Sequence, residues 1–100
     1  MIRKNAAIAT FVIYGQRKGE DRFPITVEIG TPYQFGPNEW VCPASLHPLS
    51  KPVDPHGNDA FQSLCLAIKA VHLWLGAFLE DGGQLTYESG ERFVLDPYKI

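Results

Sequence analysis

The chain has 100 residues, 45% of them hydrophobic and 20% charged, with a formal net charge of -2. That suits one α+β domain over residues 1–100 with a single core; the chain is too short for two cores and too apolar for disorder. Nine basic residues against eleven acidic ones leave no positive footprint for a polyanion, so nucleic acid is not expected as a partner.

The first element is a strand within Asn5 to Gly15, where Ile8, Phe11, Val12, Ile13 and Tyr14 suit a packed, pleated surface. Arg3 and Lys4 precede this run as they would in a secretion signal. No small-x-small cleavage pattern follows, however, and the run is β-branched and aromatic. "GQRKGEDR" then reads as a charged turn, lacking the strand–glycine–helix order of a phosphate loop. In "RFPITVEIG" Phe23, Ile25, Val27 and Ile29 share one face, and Pro24, Thr26 and Glu28 the other, the alternation of a strand with one buried and one wet side. Pro24 places the strand's start, or an unpaired edge, at its own position.

"TPYQFGPN" breaks the pattern, and "EWVCPASL" resumes it as a third strand interrupted by Pro43. From His47 to Gly57, Pro48, Pro52 and Pro55 force extended backbone, so this stretch is expected to be a long connection. A helix follows from Asp59 through Glu80, with Asp59 as its cap, Gln62 as the reciprocal partner of a capping box, and Gly82 and Gly83 ending it in a left-handed conformation. Finally "QLTYESGERFVL" holds two short apolar runs around Ser89 and Gly90, the chemistry of a hairpin. The expected architecture is α+β, a mostly antiparallel sheet of about five strands in the order ββ-β-α-ββ with the long helix packed on one face.

Projected as a helix, Gln62, Lys69, Gly76 and Glu80 form the wet sector with His72 on its flank and Ser63 as an outlier. Phe61, Leu64, Ile68, Val71, Trp74, Leu75, Phe78 and Leu79 fill most of the rest. A membrane span is disfavoured, because the central Lys69 costs about 2.5–3.5 kcal/mol on insertion scales and the strands would lose their cover. The surplus apolar circumference implies covering loops or a second protein surface, including a homodimer through the helix.

No catalytic residue is assigned. His56 lies beside Asn58 and Asp59, but Asp59 is occupied by capping and no nucleophile is local. Cys42, His47, His56, Cys65 and His72 are the right atom types for zinc, yet no CxxC or HxxxH pair is present, so neither metal nor cofactor is expected. The two widely spaced cysteines form no disulfide framework, which fits a reducing, cytoplasmic compartment. Partner-binding anchors are expected instead in the aromatic loop, at Tyr33, Phe35 and Trp40. Leu49 and Val53 in the proline-rich connection form a second, separate surface.

The helix start "GNDAFQSLCLAIK", with Gly57, Asp59, Gln62, Leu64, Leu66 and Ala67, and the later "GGQLTY" resemble a family of small bacterial proteins known only as a domain of unknown function. The resemblance implies a bacterial, cytoplasmic protein and carries over no functional residue. The expected function is a noncatalytic protein-binding module, such as an immunity or antitoxin-like protein, with Glu80, Asp81, Glu88 and Glu91 available to steer a basic partner. The alternatives are a small enzyme or ligand-binding protein using a pocket between helix and sheet, with His72 or His56 as acid/base group, and a self-associating structural subunit.

Overall fold

A computed structural model describes residues 7–95. In chain order the elements are β1 Ala7–Gln16, β2 Phe23–Gly30, β3 Tyr33–Gly36, β4 Glu39–Val41, β5 Ala44–His47, β6 Ser50–Val53, β7 His56–Gly57, α1 Ala60–Glu80 and β8 Gln84–Thr86. Five strands form an antiparallel sheet in the order β6-β5-β2-β1-β8, and the three short ones form a second sheet, β3-β4-β7. The five-stranded sheet with one long helix across it is the α+β architecture expected, and the small sheet is an addition to it; after the helix the expected hairpin reduces to one strand, β8, with Arg92 joined to Thr86 by a single bridge.

The register of the first hairpin, with Ile13 opposite Ile25 and Phe11 opposite Val27, fixes which face is buried. Ile13, Ile25, Val27, Ile29 and Leu46 lie under the helix, while Val12 and Thr26 point to solvent from the other face. Pro24 falls outside the Thr26–Ile29 span that pairs with β5, so its missing N–H breaks no bond there.

Pro43 divides the third predicted strand in two. β4 ends at Val41 in the small sheet and β5 begins at Ala44 in the large one. The crossing is tied down by Gly30 N donating to Pro43 O (2.8 Å) and Cys42 N donating to Pro55 O (3.1 Å). The proline-rich stretch, expected as a connection, instead supplies β6 and β7. Prolines hold the backbone extended, and β6 is an edge strand where Pro52 can lack a donor without a missing ladder bond.

Both ends of α1 follow the capping chemistry. Asp59 is extended (φ -151°, ψ 172°), and its carboxylate accepts from Gln62 N at 2.7 Å. The Gln62 side chain in turn accepts from Asn58 N at 2.6 Å, one residue before the usual partner of a capping box. At the other end Gly83 N donates to Phe78 O and Gly82 N to Leu79 O, with Gly82 at φ +96°, a complete Schellman motif.

The buried row of α1 is Ser63, Ala67, Val71, Leu75 and Phe78; the last three belong to the expected apolar face, and Ser63 and Ala67 replace Phe61 at its front. Leu64 and Trp74 flank it half-buried, whereas Phe61 is 75% exposed. Ser63, expected as an outlier, is fully buried, and its hydroxyl donates to Ala60 O at 2.9 Å. Satisfied inside its own turn, that hydroxyl needs no other partner, and the small Ser63 and Ala67 let the front of the helix approach the strands closely. By length and composition α1 would also suffice to cross a membrane; here its buried row, Ser63 to Phe78, packs on the sheets.

Candidate functional site

Pairing of β4 with β7 sets Trp40 opposite Gly57 and Val41 opposite His56. The aromatic loop and the helix start, far apart in sequence, therefore share one small sheet. Within it the Phe35 ring meets the His56 imidazole edge-on, 5.5 Å between centroids with 71° between planes. His56 Nδ1 lies 2.5 Å from Glu39 Oε2, and the two side chains are 47% and 46% exposed. A carboxylate accepting from Nδ1–H fixes the ring's orientation.

His56 thus has an acidic partner, but it is Glu39 and not the neighbouring Asp59, which caps the helix. The pair was hidden from sequence reading because it depends on the register between two strands of two and three residues. Beside it runs a shallow cleft of about 360 Å³ lined by Pro37, Asn38, Glu39, His56, Asn58 and Gln62. Phe61, next to Gln62 in the first turn, is exposed at this same end of the molecule.

A larger cleft of about 1110 Å³ lies between the second half of α1 and residues 84–95. His72, Gly76 and Glu80 line it from one stripe of the helix, and Thr86, Arg92 and Val94 from the opposite wall. His72 Nε2 and Thr86 Oγ1 are buried and have no hydrogen-bond partner among the described residues.

Residues 14–95 match the family described as Domain of unknown function (DUF6968). The chain belongs to the DUF6968 family. No curated protein and no solved structure matches it. The DUF6968 match begins at Tyr14 and takes in both clefts and the Phe35–His56–Glu39 cluster, leaving only the outer part of β1 among the described strands.

In this DUF6968 chain the five expected anchors separate. Phe35 projects, 63% exposed, while Tyr33 and Trp40 are half-buried beside it in the small sheet. Leu49 and Val53 are half-buried and pack against the core, Leu49 in the β5–β6 turn and Val53 opposite Ala44 at the other end of that hairpin. The acidic residues Glu80, Asp81, Glu88 and Glu91 are exposed at the far end of the helix from Phe35, roughly 30 Å away at 1.5 Å per residue.

The two arginines of the β1–β2 turn are engaged within the chain. Arg17 stacks over Phe23 and Phe78, and Arg22 stacks over Tyr14 while donating to Tyr87 O and Glu88 O. Cys42 is buried, its Sγ donates to Gly30 O at 3.3 Å, and burial pushes its thiol up to about 11. Among the described residues no three His, Cys, Asp or Glu side chains converge as metal ligands would.

Proposed function

We propose that this protein is a noncatalytic protein-binding module of the cytoplasm, in the manner of bacterial immunity or antitoxin proteins, and that it docks through the small-sheet end of the molecule. The observation that carries the reading is the Phe35 ring, 63% exposed yet held in place by its edge contact with His56. A large apolar ring already fixed in position gives up little freedom on docking, which is why such residues dominate interface energies. Phe61 offers a second exposed ring at the same end, and His56, Glu39, Asn38 and Gln62 provide the polar rim an apolar anchor needs.

The test is site-specific photo-crosslinking in cells, with a benzophenone side chain at position 35, 61 or 26. Thr26 lies on the open face of the large sheet and serves as the control. Adducts of one mass from positions 35 and 61 but not 26, lost on Phe35→Ala, support the reading; no adduct from either ring removes it. An adduct of twice the chain's own mass favours the self-associating subunit instead. Where a partner is captured, inhibition of its toxicity by this chain decides the immunity role.

A further inference from the structure

We propose that the larger cleft is a binding site for a small amphipathic carboxylate, an apolar body carrying one anionic head. It is separate from the docking surface at Phe35, since its helical wall is His72–Gly76–Glu80, in the second half of α1.

Three independent observations converge on this cleft. Gly76 sits inside the helix, where glycine costs stability relative to alanine, and a β-carbon there would meet nothing within 4 Å. Packing within the chain therefore does not require that glycine. It leaves bare helix backbone at the cleft wall, where a ligand can approach more closely than any side chain would allow.

The second observation is the pair of orphaned polar atoms, His72 Nε2 and Thr86 Oγ1, contributed by residues of opposite walls. Each is closed off from water with no hydrogen bond among the described residues, so turning the side chain toward the cleft to meet an entering acceptor group relieves the cost. An imidazole in its Nε2–H form and a threonine hydroxyl both donate. The third observation is Arg92, which lines the same cleft and has no carboxylate in salt-bridge range among the described residues, where the ion pair found is His56–Glu39. Thr86 and Arg92 are bridge partners, so a hydroxyl and a guanidinium stand together and fit an anionic oxygen pair; Glu80, the carboxylate among the described lining residues, lies about two helical turns from His72 and leaves the head group to the His72–Thr86–Arg92 end. Leu73, Leu79 and Val94, exposed by 63%, 36% and 47%, form the apolar part of the walls and fit a hydrocarbon body.

The experiment titrates the full chain with octanoate, below its micelle concentration, and follows backbone amide and histidine ring signals by NMR. Octylammonium, with the same tail and opposite charge, is the control. The expected result is saturable octanoate shifts centred on His72, Gly76, Thr86 and Arg92, with octylammonium about tenfold or more weaker. Arg92→Gln should weaken octanoate about tenfold without moving the thermal midpoint appreciably. Gly76→Leu should abolish the shifts by filling the space beside the helix. If that variant unfolds, Gly76→Ala replaces it and should raise the thermal midpoint while weakening octanoate. Absence of saturable shifts, equal binding of octylammonium, or unchanged octanoate affinity in both the Arg92 and Gly76 variants overturns the proposal.

Discussion

Gly57 and Ser63 meet through their backbones: a β-carbon on Gly57 would lie 2.7 Å from the Ser63 amide nitrogen. The next nearest atoms belong to Gln62, at 3.1 Å, so the first helical turn is seated directly on β7. Gly57 is also the ladder partner of Trp40. One bare α-carbon thus joins the helix start to the aromatic hairpin and sets the end of the molecule that carries Phe35.

Gly57→Ala is therefore expected to destabilise the domain by about 1–3 kcal/mol, because the obstructing atoms are backbone and cannot rotate away. Urea denaturation measures this as a lower midpoint at similar slope. A wild-type midpoint would show that the first turn of α1 is not seated directly on β7.

The helix start yields a second expectation. Asp59→Ala removes the acceptor of Gln62 N and should cost about 0.5–2 kcal/mol. Gln62→Ala removes the acceptor of Asn58 N and should cost less, since Asn58 is exposed and water can replace the bond. The two bonds close the same first turn through different atoms of Gln62, its backbone N and its side-chain Oε1, so loss of one loosens the other and the double variant should lose less than the sum of the two. Additive losses would show that the two bonds act independently.

At the helix end the usual ranking of glycine substitutions should invert. Gly82 has φ +96°, so Gly82→Ala carries the left-handed penalty of about 1–2 kcal/mol, but its β-carbon would meet nothing. A β-carbon on Gly83 would lie 2.6 Å from Phe78 Cζ. That ring is held by Phe23 edge-on at 5.9 Å and by Arg17 above it at 5.1 Å, so it has no easy retreat. Gly83→Ala should therefore lower the thermal midpoint at least as far as Gly82→Ala. Paired melts of the two variants check the order.

These relationships also mark where sequence reading ends. The alternation in Phe23–Ile29, the Asp59 cap and the Gly82–Gly83 stop are local signals, with periods and chemistry confined to a few residues, and the structure carries all three. The small sheet was not legible, because β3, β4 and β7 are four, three and two residues long, too short for alternation to register. Without that sheet the Glu39–His56 pair is invisible, and His56 appears paired with the nearest carboxylate in the chain. The front of the buried helix face departs from the expectation for a related reason, while Val71, Leu75 and Phe78 follow it. Ser63 counts as polar on any scale, but its hydroxyl is satisfied within its own turn and its small size lets the helix close on Gly57.

The Cys42 thiol supplies a pH-dependent expectation. Burial raises it from an ordinary 9.0 to about 11, so between those values the unfolded chain has released a proton that the folded chain still holds. The unfolded state binds fewer protons there, so stability falls as pH rises through this window and is unaffected by Cys42 below it. Comparison with Cys42→Ala separates this contribution from that of every other group. That variant starts less stable, through the cavity it leaves, but should lose less further stability between pH 9 and 11 than the parent. The same burial gives a chemical readout near pH 8. A thiol reagent should modify the half-buried Cys65 first and reach Cys42 only on unfolding, so the slow phase should vanish in Cys42→Ala. Parallel slopes for parent and variant, or equal labelling rates for the two thiols in the folded protein, would show that the core around Gly30 and Cys42 admits water.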